Sequence, residues 1–201
     1  MPVRVDHEQR RRQIAEALLR IAATRGLQAA SMREVAAEAG VSLRLVQYYF
    51  HTKDELLIGS LPYLAERLAA RVRTRLQALG QPPTARQVVE GTLSAVLPAD
   101  EESRQIRRTY DAFYALVLAE PGLAEKYEAR DPDALERLLA GQVCRAQESG
   151  EVAADHDAGQ VAAGLLALTN GLGASVVGGQ RSSEAAAAVL TYHLERLFAG
   201  R

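Results

Sequence analysis

One cysteine stands among 201 residues, and tryptophan is absent. With Cys144 alone, no intrachain disulfide can form and no cysteine cluster can hold zinc. The residue is expected to be a small buried apolar side chain rather than a redox sensor. Aromatics make up 5% of the chain, alanine and leucine are abundant, and no stretch reads as a credible strand, so helices are favoured throughout. A glycine-rich phosphate loop is missing, as is a serine or cysteine elbow motif. Asp155-His156-Asp157 could pass for metal ligands. Adjacent side chains splay apart, however, and His7, His51 and His193 lack ligand spacing to them. Asp157 with Gln160 also reads as a helix cap, which accounts for the aspartate without a metal. No catalytic residue, metal or cofactor is expected. A charge-free apolar run long enough to span a bilayer is likewise not expected, so no membrane partner is foreseen. No signal peptide opens the chain, and nothing keeps it out of the cytoplasm.

Charge is balanced overall, 24 basic against 25 acidic residues, but it is unevenly placed. Residues 1–53 carry nine Arg and Lys against five acids, a net +4, and the remainder nets −5. A basic head on an acidic body is the asymmetry expected when only the head meets a polyanion.

The stretch from Ser31 to Leu57, SMREVAAEAGVSLRLVQYYFHTKDELL, holds three helix starts at close spacing. Ser31 with Glu34 and Thr52 with Glu55 read as capping boxes, and Ser42 as a plain N-cap before LRLVQYYF. Gly40 sits where the helix from Met32 must stop, since glycine enters the left-handed region without steric cost. The pattern predicts a short helix, a tight turn and a second short helix, which is the helix-turn-helix arrangement. At 3.6 residues per turn, Val46 and Phe50 share the packing side of the second helix. Leu43, Arg44, Gln47 and Tyr48 point away. Arg and Gln are side chains that read guanine and adenine edges in a major groove. Tyr48, Tyr49, His51 and Lys53 suit phosphate contacts. The competing reading is that these are ordinary solvated residues on a common helix pair.

This stretch resembles the N-terminal signature of the TetR family of transcriptional regulators: SMREVAAEAGVS, then YYF where the family usually has YxHF, then the KDELL that opens a long fourth helix. The resemblance implies an all-α protein. A three-helix DNA-binding domain over residues 1–52 would precede a larger ligand-binding and dimerisation domain over residues 53–201. Its implied DNA contacts are Ser31, Arg33, Ser42, Leu43, Arg44, Gln47, Tyr48, Tyr49, His51 and Lys53. Double-stranded DNA with a palindromic operator, a second copy of the chain and a small-molecule effector are the implied partners. A repressor released by its effector is the expected function. A constitutive DNA-binding or architectural protein is the alternative, separable by whether any small molecule releases DNA.

Along the rest of the chain, residues 1–7 read as a loose tail. A helix from about Glu8 to Thr24 carries Ile14, Leu18, Ile21 and Ala22 on one face, and Gly26 ends it. Arg10, Arg11 and Arg12 either reach toward DNA or are merely solvated. A long helix follows over about 53–79, with Pro62 inside it and Gly80-Gln81-Pro82-Pro83 after it. Further helices are expected near 84–97, 100–119, 122–129, 132–149, 157–178 and 183–199, nine or ten in all. Asp131-Pro132 is read as a cap with a first-turn proline.

In the helix near 157–178, Gly164, Ala167, Gly171, Ala174 and Gly178 fall at steps of three and four, a smooth stripe beside a bulky apolar one. With Val189 and Tyr192 on the last helix, these residues are expected to form a four-helix seam across a two-fold axis. Tyr63, Tyr110, Phe113, Tyr114 and Asn170 are the candidate effector contacts, with simple core packing as the plainer explanation.

Overall fold

The computed structural model describes residues 2–79, 82–128 and 133–199. Ten α-helices and one 3-10 turn (Leu27–Ala29) make up the regular structure, with no strand among the described residues. The helices are α1 (Pro2–Arg25), α2 (Met32–Ala39), α3 (Leu43–Tyr49), α4 (Lys53–Gln77) and α5 (Ala85–Val96), followed by α6 (Glu101–Ala119), α7 (Pro121–Glu128), α8 (Ala134–Glu148), α9 (Ala158–Val177) and α10 (Ser183–Phe198). The all-α expectation is met. The proposed stop at Gly80-Gln81 and the cap at Asp131-Pro132 lie outside the described residues.

The chain forms two compact units that do not follow chain order. One comprises residues 1–67 and 108–130, the other 68–107 and 131–201. Two of the three dividing lines fall inside continuous helices, α4 and α6.

In the first unit, α1 begins at Pro2, so residues 2–7 of the stretch read as a loose tail are helical instead. Ile14, Leu18, Ile21 and Ala22 are buried as expected, but so are Ala15, Ala17 and Leu19. At 100° per residue these positions sweep an arc of about 200°, so α1 is a central helix rather than a surface one. α2 packs on α1, and α3 on α2. Farther along, Ile58 of α4 packs with Val117 of α6 and Leu123 of α7, and Lys126 pairs with Asp54 at 2.8 Å.

The second unit is built on Val89, Leu93 and Leu97, Leu139 and Val143, Leu165 and Leu172, and Leu190, Leu194 and Phe198. Its α5 starts with a complete capping box between Thr84 and Gln87. Asp100 and Ser103 reciprocate in a similar way at the start of α6: the Asp100 carboxylate accepts from the Ser103 N–H at 2.8 Å, and the Ser103 hydroxyl accepts from the Asp100 N–H at 3.0 Å.

Three further expectations need correcting. Cys144 is exposed, because α8 turns Leu139, Val143 and Ala146 inward and Cys144 falls about 100° off that face. α9 is a 20-residue apolar helix long enough to cross a bilayer, contrary to the expectation that no such run exists. It nevertheless buries Ala162, Leu165, Thr169 and Leu172 in the core of its unit. Neither predicted capping box of the head closes. Ser31 and Thr52 accept from the N–H groups of Glu34 and Glu55, but Glu34 pairs with Arg25. Glu55 reaches one residue too far back, to the N–H of His51.

Candidate nucleic-acid interface

The turn between α2 and α3 is set by Gly40, at φ 66° and ψ 32°, whose N–H closes onto the last carbonyls of α2. Ser42 then opens α3, its hydroxyl accepting from the Leu45 N–H at 3.2 Å. α1 holds this turn by side chains. Gln13 donates to the carbonyl of Ala39 at 2.8 Å, Arg20 pairs with Glu38 at 2.8 Å, and Arg25 pairs with Glu34 at 3.2 Å.

α3 has one face that is wholly inside. Val46 and Phe50 are inaccessible to solvent. The Phe50 ring lies against α4 at Gly59, where a Cβ would come within 2.7 Å of it. The Arg11 guanidinium covers the same ring, 4.5 Å from its centroid. With that face fixed, Arg44, Gln47 and Tyr48 are exposed and Leu43 is half-buried. Ser31, Arg33, Ser42, His51 and Lys53 are exposed too, while Tyr49 is half-buried.

A regularity joins these positions. Each of three successive helices begins with a hydroxyl cap and carries an exposed cation in its first turn: Ser31 and Arg33, Ser42 and Arg44, Thr52 and Lys53. Each capping oxygen accepts from a helix N–H, which leaves its own O–H to donate outward. Arg33, Arg44 and Lys53 make no ion pair among the described residues, whereas Arg12, Arg20 and Arg25 all do. Unpaired cations beside free donors make an anion-binding surface.

Arg11 and Arg12 are taken up by groups of their own unit. Arg12 pairs with Glu66 at 2.8 Å and lies over the Tyr63 ring at 5.1 Å. Tyr63 donates to Glu8 at 2.8 Å. Burial, and then that bond, push its phenol up to about 12, so it stays a neutral donor. Of the other candidate effector contacts, Tyr110 and Tyr114 stack with centroids 6.1 Å apart, and Phe113 is buried in the first unit. Asn170 belongs to the second unit, where it accepts from Arg107 at 2.9 Å. Tyr63 and Phe113 are thus accounted for by packing and by partners inside their own unit.

The predicted seam residues lie on a surface of the second unit. Gly164, Ala167, Gly171, Ala174 and Gly178 are exposed, Val189 is half-buried and Tyr192 is 54% exposed. Asp157 accepts from the Gln160 N–H at 2.9 Å, as the cap reading expects. No group of three or more His, Cys, Asp or Glu that could hold a metal occurs among the described residues.

Sequence reasoning missed Gln13 and Gly59. Gly59 did carry a signal, since a glycine inside a helix is unfavourable and points to a packing reason. Gln13 carried none.

Residues 14–59 match the family model described as "Bacterial regulatory proteins, tetR family". Residues 85–199, more than half of the chain, match "BetI-type transcriptional repressor, C-terminal". The chain is 45% identical to the HTH-type transcriptional regulator PksA of Bacillus subtilis over 73 residues, 36% of each protein. It is 30% identical to the HTH-type transcriptional regulator BetI of Serratia proteamaculans over 81% of this chain and 78% of that one. A crystal structure of a TetR-family transcriptional regulator from Rhodococcus sp. superposes with a TM-score of 0.84 at 26% identity, covering 95% of this chain and 99% of the other.

Proposed function

The chain belongs to the TetR family of bacterial transcriptional regulators, and from that membership we propose that it is a homodimeric cytoplasmic repressor, released from a palindromic operator by a small molecule. The observation that carries the DNA half is α3. Its inner face is sealed by Val46 and Phe50, while Arg44 and Gln47 stand exposed to solvent. A helix clamped in this way presents base-reading groups at a fixed orientation, as recognition in a major groove requires. Residues 1–52 dock on DNA and the remaining residues dimerise and bind the effector. Arg44 and Gln47 read base edges, and Leu43 lies against a thymine methyl. Ser31, Arg33, Ser42, Tyr48, Tyr49, His51 and Lys53 hold phosphates.

Release needs two states of the chain that differ in affinity for both ligands. Helix α4 runs from Lys53 at the DNA-facing surface through both compact units, which makes it the element suited to carry that coupling.

The test is binding of the full chain to duplexes selected from a random library, followed by a panel of small molecules added to the complex. An inverted-repeat duplex held at least roughly a thousandfold tighter than random DNA at the same salt is expected, with loss of binding on adding one compound class. Equal affinity for every duplex sinks the specific-regulator reading. Specific binding that no compound relieves leaves a constitutive DNA-binding protein.

A further inference from the structure

The DNA-facing surface described so far comes from α2, α3 and the start of α4. α1 adds a group that no motif marks. His7, exposed on α1, places its Nδ1 3.0 Å from the Tyr49 hydroxyl. Its ring meets that of Tyr49 edge-on at 5.7 Å and that of Tyr48 at 6.3 Å. Tyr48 and Tyr49 are themselves edge-on, 5.2 Å apart. One turn farther along α1, Arg11 donates to the main-chain carbonyl of Tyr49 at 3.4 Å. Tyr49 is therefore held from α1 at both its backbone and its hydroxyl.

A phosphate oxygen only accepts hydrogen bonds. A tyrosine hydroxyl can serve it only with its own proton, so any bond to a third group must arrive at the oxygen from a donor. In the His7–Tyr49 pair this fixes the direction: Nδ1–H donates to the Tyr49 oxygen, and the Tyr49 O–H is left to point outward. Chained donors of this kind polarise one another and strengthen the outer bond. We propose that His7 is a positioning residue of the DNA interface, aiming the Tyr49 hydroxyl and, through the three-ring contact, the Tyr48 ring at the phosphate backbone. The proposal rests on the reading of Tyr48 and Tyr49 as phosphate contacts.

The experiment measures binding of the full-length chain to its selected duplex and to a random duplex at several salt concentrations. The variants are H7A, H7N, H7Q, Y49F, the H7A/Y49F pair, and R44A. An asparagine amide nitrogen occupies the place of histidine Nδ1, whereas a glutamine amide reaches the place of Nε2. H7A and Y49F are each expected to weaken both duplexes about fivefold, the scale of one hydrogen bond. The salt slope of Y49F stays unchanged because a phenol hydroxyl carries no charge to lose. The double variant should lose no more than either single one, H7N should recover most of the binding, and H7Q should not. Losses that add in the double variant, or equal behaviour of H7N and H7A, mean that His7 merely fastens α1 and overturn the proposal. Wild-type binding by H7A alongside weakened R44A and Y49F overturns it while leaving the interface intact. Wild-type binding by R44A, Y49F and H7A together removes the interface reading as well.

Discussion

Arg44 and Lys53 are both exposed cations in the first turn of a helix, yet they should behave differently when removed. Arg44 lies on α3, the helix proposed to read base edges, where a guanidinium can grip a guanine edge through two bonds at once. Arg44→Ala is expected to cost about 1–3 kcal/mol on the operator and to relax base preference at one position. Lys53, at the mouth of α4, is the residue proposed to meet phosphate. Lys53→Ala should weaken all duplexes alike and flatten the plot of log affinity against log salt by about one. Competition binding with single-base operator variants separates the two, and an equal loss for R44A on operator and random DNA counts against base reading. The same scale holds the clearest limit of sequence reading. Exposure of Arg44 follows from helical spacing, since it sits about 160° around α3 from the buried Val46. Gln47, by contrast, about 60° from Phe50 by the same spacing, is exposed through the way the helix is seated. The meeting of His7 with Tyr49, 42 residues apart, follows from no local pattern, since it depends on where α1 crosses α3.

At the scale of the element, α3 is short, seven residues, and takes its orientation from neighbours rather than from its own helical stability. Gly59 is the closest of these supports. A methyl group there meets the Phe50 ring at 2.7 Å, and Phe50 has no solvent-facing side to retreat into. Gly59→Ala should therefore cost about 1–3 kcal/mol through overpacking, despite the better helix propensity of alanine. Its operator affinity should fall even where the chain remains folded. Thermal melts with binding isotherms test this, and a stabilised variant with full DNA binding contradicts the packing argument. In the second unit, Asp100 starts α6 and accepts from Arg71 at 2.7 Å. That bond, followed by the Ser103 N–H, holds its carboxyl well below the usual carboxylate range. A carboxyl depressed in the folded state stabilises above its unfolded pKa near 4, and that stabilisation is lost as pH falls. Asp100→Asn should flatten the loss of stability between about pH 5 and pH 2. The half-exposed carboxylate limits the difference to the order of 1 kcal/mol. Unchanged acid melts in D100N rule out the linkage. Helix boundaries were legible from sequence because caps, glycines and prolines act locally: Ser42, Gly40, Asp157 and Gly26 each sit where expected. The head's capping boxes were not, because Glu34 had a competitor in Arg25, nine residues earlier, and Glu55 one in the His51 N–H, both outside the four-residue pattern.

At the scale of the whole molecule, the outer face of α9 and α10 raises a question that one chain does not answer. A Cβ built on Gly164 or Gly171 meets nothing within 4 Å of its own chain, so neither glycine is needed for packing within the fold. Each nevertheless costs its helix about 1 kcal/mol relative to alanine. A stripe without side chains beside apolar residues suits the close approach of a second helix better than contact with solvent. Spacing along the sequence exposed this stripe, but only the burial of the opposite face, through Ala162, Leu165 and Leu172, shows which side is left over. A two-fold pairing here supplies the two heads that a palindromic operator demands, and it separates two outcomes of opposite sign. If the chain works as a monomer, the Gly164→Ala/Gly171→Ala pair should stabilise it by about 2 kcal/mol, independently of protein concentration. If α9 meets its own copy, the two methyl groups prevent close approach. The melting temperature should then fall and depend more steeply on concentration. The sedimenting mass should shift toward the monomer, and operator binding should drop far more than binding to a single half-site. Sedimentation velocity with both duplexes decides between them. A more stable, fully DNA-competent double variant removes the seam from α9 and with it the requirement for an inverted repeat.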